Sequence, residues 1–181
     1  MPRARKELTA GEWAVLALLD EQPVHGFAVA RAMAPTGQVG NVWAMRRPLV
    51  YRALDTLERL GLVRPVAKLP SDAGPRRTIF KPTLSGRDAL AAWLAQPVAH
   101  VRDTRSLLML KLLFLSRRQA DLAPLLRAQR ERFAAQADRL AAAADAVEGF
   151  DRSLLLWRMH STTAAISFSD AMLDEPLASG G

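Results

Sequence analysis

Cysteine is absent from this 181-residue chain. Disulfides, thiolate nucleophiles and cysteine-ligated metals are excluded together. Histidine is scarce as well: His25, His100 and His160 stand apart from one another and from any carboxylate cluster, which argues against a metal site. No apolar run reaches the roughly 18 residues that a membrane-spanning helix needs. The longest candidate, Leu107 to Leu115, is interrupted by Lys111. The start, Met1-Pro2-Arg3-Ala4-Arg5-Lys6, is basic but leads into no hydrophobic signal region. Neither a glycine-rich phosphate loop nor a grouping of nucleophile, base and orienter is visible, so neither catalysis nor a cofactor is expected. The expected location is the cytoplasm, without a membrane partner.

What the chain does have is apolar residues and an uneven charge. Half of its residues are hydrophobic, enough to bury a core, and the length fits one domain or two small ones. Residues 1 to 105 hold 16 Lys and Arg against 9 Asp and Glu, and residues 106 to 181 hold 9 against 9. The whole net charge of +7 therefore lies in the first part. A polyanion is the simplest partner for it, because neutralised phosphates release counterions. A basic surface kept for solubility is the blander alternative.

Thr9-Ala10-Gly11-Glu12 is a capping-box pattern that opens a first helix, ended by Gln22-Pro23. Val24 to Ala34 reads as a second short helix stopped by Pro35, and Thr36 to Ala44 as a glycine-containing loop. The third helix carries the organising features of this half. Pro48 suits its first position, Gly61 its left-handed end, and Val50, Ala53, Leu54, Leu57 and Leu60 recur at helical spacing. The helix start and its other faces carry Arg46, Arg47, Tyr51, Arg52, Asp55, Thr56 and Arg59, a set rich in guanidinium groups and suited to phosphates and guanine edges. Behind it, residues 62 to 69 and 77 to 82 read as two strands around the turn Ser71-Asp72-Ala73-Gly74-Pro75, with Lys68, Arg76 and Arg77 near the tip. A fourth helix covers residues 87 to 94. This order predicts a winged helix-turn-helix over residues 1–96, within a mainly α protein whose wing has two strands.

Pro97 to Thr104 reads as a linker. Beyond it, residues 105–175 are expected to form an all-helical dimerisation domain. Arg105 to Leu115 is short and apolar, and Ser116-Arg117-Arg118-Gln119 repeats the capping-box pattern. Leu122, Leu126, Gln129, Phe133, Gln136, Leu140, Ala143 and Val147 alternate four and three apart, as a heptad seam does. Pro124 implies either that this helix starts late or that it bends. A last helix, capped by Asp151, is apolar over a wide arc and needs partners on more than one side. A homodimer is the expected consequence, with an intramolecular helix pair as the alternative.

The first half resembles the PadR family of winged-helix transcriptional regulators. The matching residues are Leu8-Thr9, Val15-Leu16, Leu18-Leu19, His25-Gly26-Phe27, Val50-Tyr51, Ala53-Leu54, Leu57, Gly61-Leu62-Val63, Gly74-Pro75-Arg76-Arg77, Thr83, Gly86 and Trp93-Leu94. Leu49, Ile79 and Phe80 depart from the usual pattern. The resemblance implies a homodimer that binds an inverted-repeat operator in double-stranded DNA, usually as a repressor, and is released by a small-molecule effector or a partner. The DNA-contacting set is then Arg46, Arg47, Tyr51, Arg52, Thr56 and Arg59 on the helix, with Lys68, Arg76 and Arg77 on the wing. Trp157, Phe133, Met159 and Phe168 are candidates for an apolar effector pocket, or else for plain core. A winged-helix protein-interaction module is the competing reading, but such a module should lack this basic face.

Overall fold

Thr9 and Glu12 cap the first helix, α1 (Ala10–Glu21), reciprocally: Glu12 Oε2 accepts from the Thr9 N–H at 2.7 Å, and Thr9 Oγ1 accepts from the Glu12 N–H at 3.3 Å. The computed structural model describes residues 7–69 and 77–174. The chain divides into two units, Met1–Trp93 and Leu94–Gly181.

In the first unit the second helix starts later than its apolar pattern suggests. Val24 and His25 form a short strand, β1 (Val24–His25), paired antiparallel with Phe80 and Ile79, and α2 runs only Gly26–Ala32. His25 decides this boundary, since its Nδ1 accepts from the Ala28 N–H at 3.1 Å, the bond an N-cap side chain makes from extended backbone. Residues 33 to 46 then form an irregular connection pinned by its own backbone. Val39 N–H donates to Ala32 O at 3.0 Å and Met45 N–H to Met33 O at 2.8 Å.

Helix α3 (Arg47–Arg59) begins one residue before Pro48, which therefore occupies the second helical position rather than the first. Gly61, at φ +69°, terminates it, and Leu62 N–H closes the end on Leu57 O at 2.9 Å. Val50, Ala53, Leu54 and Leu57 are buried as their spacing predicts, but Leu60, in the loosened last turn, is exposed. Strands β2 (Val63–Leu69) and β3 (Arg77–Pro82) pair antiparallel, and with β1 they make a three-stranded sheet of order β1-β3-β2 instead of the expected two strands. The ladder slips between Pro65 and Ala67, beside a proline that has no N–H to contribute. Helix α4 (Leu84–Ala95) starts nearly a turn earlier than read from the sequence. Its Thr83 hydroxyl accepts from Gly86 N–H at 3.1 Å while donating to Gly61 O at 2.7 Å, so one side chain ties the ends of α3 and α4 together. Trp13 and Trp93 stack with ring centroids 5.0 Å apart, joining α1 to α4. The result is a winged helix-turn-helix.

The second unit begins with a correction. Pro97 to Thr104 is not a free linker, because buried Val98 is held at both backbone polar groups by Gln129: its N–H donates to Oε1 at 2.7 Å and its carbonyl accepts from Nε2 at 3.1 Å. A 3₁₀ turn (Val101–Asp103) and a π turn (Thr104–Leu108) lead into α5 (Met109–Arg117). No helix starts at Ser116. The residue closes α5, its carbonyl accepts from Gln119 N–H at 2.9 Å, and Gln119 takes φ +54°. Helix α6 (Ala123–Asp145) starts late, with Pro124 in its first turn and Asp121 Oδ1 accepting from Ala123 N–H at 2.9 Å. That resolves the Pro124 alternative without a bend. Helix α7 (Gly149–Asp174) opens at a left-handed glycine, and Asp151 lies within its first turn rather than at the cap.

α6 and α7 lie antiparallel. Arg130 Nε reaches Asp170 Oδ1 at 2.6 Å, and at the other end Arg152 Nη1 donates to Ala144 O at 2.8 Å. The buried residues of α7 are the small Thr162, Ala165 and Ser169, which allow close approach, and the buried hydroxyls are satisfied by their own helix. The heptad seam is thus covered within the chain over Leu126, Gln129 and Phe133, but Ala143 is exposed.

Lys111 is buried among these helices, 3% exposed, with Nζ donating to Gln96 O at 2.5 Å. Desolvation lowers its pKa from 10.5 to about 8. Between those values the folded chain has released a proton that the unfolded chain still holds, so stability should rise with pH across that window and be lost as pH falls through about 8. Thermal melting from pH 7 to 10.5 should show this rise in the wild type and not in Lys111→Met.

Candidate nucleic-acid interface

Helix α3 exposes Arg52, Asp55 and Arg59 opposite its buried stripe, with Arg47 and Tyr51 on one flank. Its N-terminus has Arg46 as N-cap, no side-chain cap bond and no acidic residue in the first turn. The positive end of the helix dipole is left uncompensated and is reinforced by two guanidinium groups, an arrangement that favours an anion there. Arg59 Nη2 sits 3.5 Å from Thr56 Oγ1. Lys68 on β2 and Arg77 on β3 are exposed cations of the wing.

Thr56 does not belong to this surface. It is only 6% exposed, because it flanks the stripe and turns into the helix packing; it is therefore corrected from contact candidate to core. Arg76 and the turn expected at 71–75 lie outside the described residues, as do Arg3, Arg5 and Lys6. The expected contacts that remain, Arg46, Arg47, Tyr51, Arg52, Arg59, Lys68 and Arg77, are all exposed.

One member of the surface is not legible in the sequence pattern. Phe27, on the first turn of α2, is 44% exposed. The Arg47 guanidinium carbon lies 5.2 Å from its ring centroid and that of Arg77 lies 5.9 Å away; Arg47 is also 5.7 Å from the Tyr51 ring. These distances fall within cation–π range. The only local hint is an aromatic directly after Gly26. That glycine matters to the site: a Cβ there would stand 2.9 Å from both Tyr51 Cε1 and Leu54 Cδ1. Gly26→Ala should therefore push the Tyr51 ring outward and lower stability by about 1–3 kcal/mol, read by thermal melting.

The four residues expected to line an effector pocket do not converge. Phe133 is fully buried in the core of the second unit, and Phe168 packs against that core. Trp157 is 67% exposed. The antiparallel register sets Phe133 near Ala165 and Trp157 near Ala141, on the order of 12 Å apart along the helix axis. Met159 is half-buried outside that core cluster. Phe133 and Phe168 meet in one core, while the register of the hairpin holds Trp157 away from it.

Among the described residues, no group of three or more His, Asp or Glu side chains could hold a metal ion. No helix among them is long and apolar enough to cross a membrane.

Comparison with known proteins matches residues 15–92 to the model of the transcriptional regulator PadR-like family. A probable transcriptional regulator from Mycobacterium tuberculosis is 30% identical over 92 residues, 51% of this chain and 47% of that protein. The chain thus spans about half the length of that curated relative. Among solved structures, Bacillus subtilis PadR in complex with operator DNA is 19% identical, with 90% of this chain and 97% of that one covered at a TM-score of 0.46. The same protein with p-coumaric acid is 20% identical, with 92% and 100% covered at a TM-score of 0.44.

Proposed function

We propose, from the match of residues 15–92 to the transcriptional regulator PadR-like family, that the chain is a cytoplasmic, sequence-specific DNA-binding regulator. It acts as a homodimer on an inverted-repeat operator, represses by occluding a promoter, and has no catalytic step. The observation that carries this reading is the cationic surface formed by the N-terminus of α3, its outer face and the turn end of the wing. Arg46, Arg47, Tyr51, Arg52 and Arg59 would meet base edges and phosphates in the major groove, with Lys68, Arg76 and Arg77 on the flanking backbone. The division into residues 1–96 for DNA binding and 105–175 for dimerisation belongs to the same proposal. Phe150 and Trp157, 80% and 67% exposed and seven residues apart on one face of α7, offer an apolar row to a second copy. In the dimer the two α3 helices would address half-sites about 34 Å apart, and an effector that altered the helical unit would change that separation.

Fluorescence anisotropy on promoter DNA from the chain's own locus tests this across a salt series. Operator-selective, salt-dependent binding of two chains per site supports it. Equal binding to unrelated DNA would sink it and leave the protein-interaction reading.

A further inference from the structure

The ring of Phe27 is large, apolar and nearly half exposed, yet it lies at the centre of the cationic surface. Beside the His25 ring, 6.2 Å away and local in the chain, it meets two side chains from distant elements. Arg47 comes from α3 and Arg77 from β3, and both guanidinium groups fall within 6 Å of the one ring, at 5.2 and 5.9 Å. Tyr51 continues the chain beyond Arg47 at 5.7 Å. Three elements are thereby linked through a row of side chains running Arg77, Phe27, Arg47, Tyr51.

Two like charges beside one another repel, and an isolated pair of arginines on an exposed surface would splay apart. The negative face of an aromatic ring offsets that repulsion. Stacking also uses the face of a guanidinium and leaves its in-plane N–H donors for hydrogen bonds to phosphate or a base edge. A long side chain already held in one orientation loses less rotamer freedom when a ligand binds.

We propose that Phe27 is a positioning residue for DNA binding: it holds Arg47 and Arg77 so that the recognition helix and the wing present their charges as one preformed unit. This rests on the DNA-binding reading above. Phe27 need not contact DNA itself, and its effect comes through the two arginines.

The experiment compares full-length wild type with Phe27→Tyr and Phe27→Leu. In free protein, NMR should show the Arg47 and Arg77 side-chain protons shifted upfield by the ring current in wild type and Phe27→Tyr; in Phe27→Leu, Arg77 should return to its ordinary position and Arg47 should keep only the smaller shift due to Tyr51. With operator DNA, Phe27→Leu should bind roughly 5- to 30-fold more weakly, because two arginine side chains must then be immobilised on binding. Its plot of log affinity against log salt should be shallower by about one to two. Phe27→Tyr should match wild type in both. Phe27→Leu binding with unchanged affinity and slope would overturn the proposal, as would Phe27→Tyr binding as weakly as Phe27→Leu, or arginine shifts indifferent to the ring. Because leucine at this half-exposed position could still unsettle α2, a double-mutant cycle of Phe27→Leu with Arg77→Ala accompanies it. Non-additive losses support the proposal, and additive losses reject it. A wild type without operator preference would instead end the DNA-binding reading, an outcome the free-protein spectra keep separate.

Discussion

Arg47→Ala combined with Arg52→Ala should weaken operator binding at least about 30-fold while leaving the melting temperature nearly unchanged. Both side chains are exposed, so neither contributes to the buried stripe of Val50, Ala53, Leu54 and Leu57 on which α3 packs. Surface substitutions of this kind usually alter stability by no more than about 0.5 kcal/mol. Each arginine that meets a base edge contributes roughly 1–3 kcal/mol, so the pair together costs about 2 kcal/mol or more. The two arginines have different surroundings. Arg47 stands at the uncapped N-terminus of α3, beside Phe27 and Tyr51, whereas Arg52 lies at the middle of the outer face next to Asp55. The single variants should therefore separate. Loss of a phosphate contact lowers the salt slope by about one and weakens all sequences alike, and loss of a base contact relaxes preference at one position. Anisotropy on the operator and on single-base variants reads both, and an Arg47→Ala/Arg52→Ala protein that bound like wild type would remove α3 as the reading element.

Gln129→Leu should destabilise the helical unit by about 2–6 kcal/mol and lower its melting temperature by roughly 10 °C or more. Leucine fits the volume and suits a seam position, and on heptad spacing alone it should stabilise. The geometry reverses that sign. Gln129 is fully buried and its amide pairs with both backbone groups of Val98, at 2.7 and 3.1 Å. Leucine would leave a buried N–H and a buried carbonyl without partners, each costing about 1–3 kcal/mol. Gln136, seven residues on and only half-buried, is the control. Gln136→Leu should change the melting temperature by no more than a few degrees. Equal tolerance at both positions would mean that the Val98 pairing contributes little to the unit.

The sequence by itself determined whatever neighbouring residues decide between themselves. The cap at Thr9 and Glu12, the end of α3 at Gly61, the buried stripe of α3 and the cationic face opposite it are all local chemistry within a few residues of chain. The order of those elements was enough to indicate a winged helix-turn-helix and a DNA surface. Tertiary structure decided the features that need partners distant in the chain. Val24 and His25 became a strand because β3, more than fifty residues later, offers them a ladder. Thr56 is buried because the packing around α3 covers more of its circumference than the apolar stripe marks. Gln129 belongs to Val98, Trp157 is held away from Phe133 by the register of α6 against α7, and Phe27 meets two arginines from other elements. Periodicity reports which side of an element is apolar and carries no information about what stands across from it. Pairing, register and the company a polar side chain keeps are therefore fixed only when the chain closes on itself.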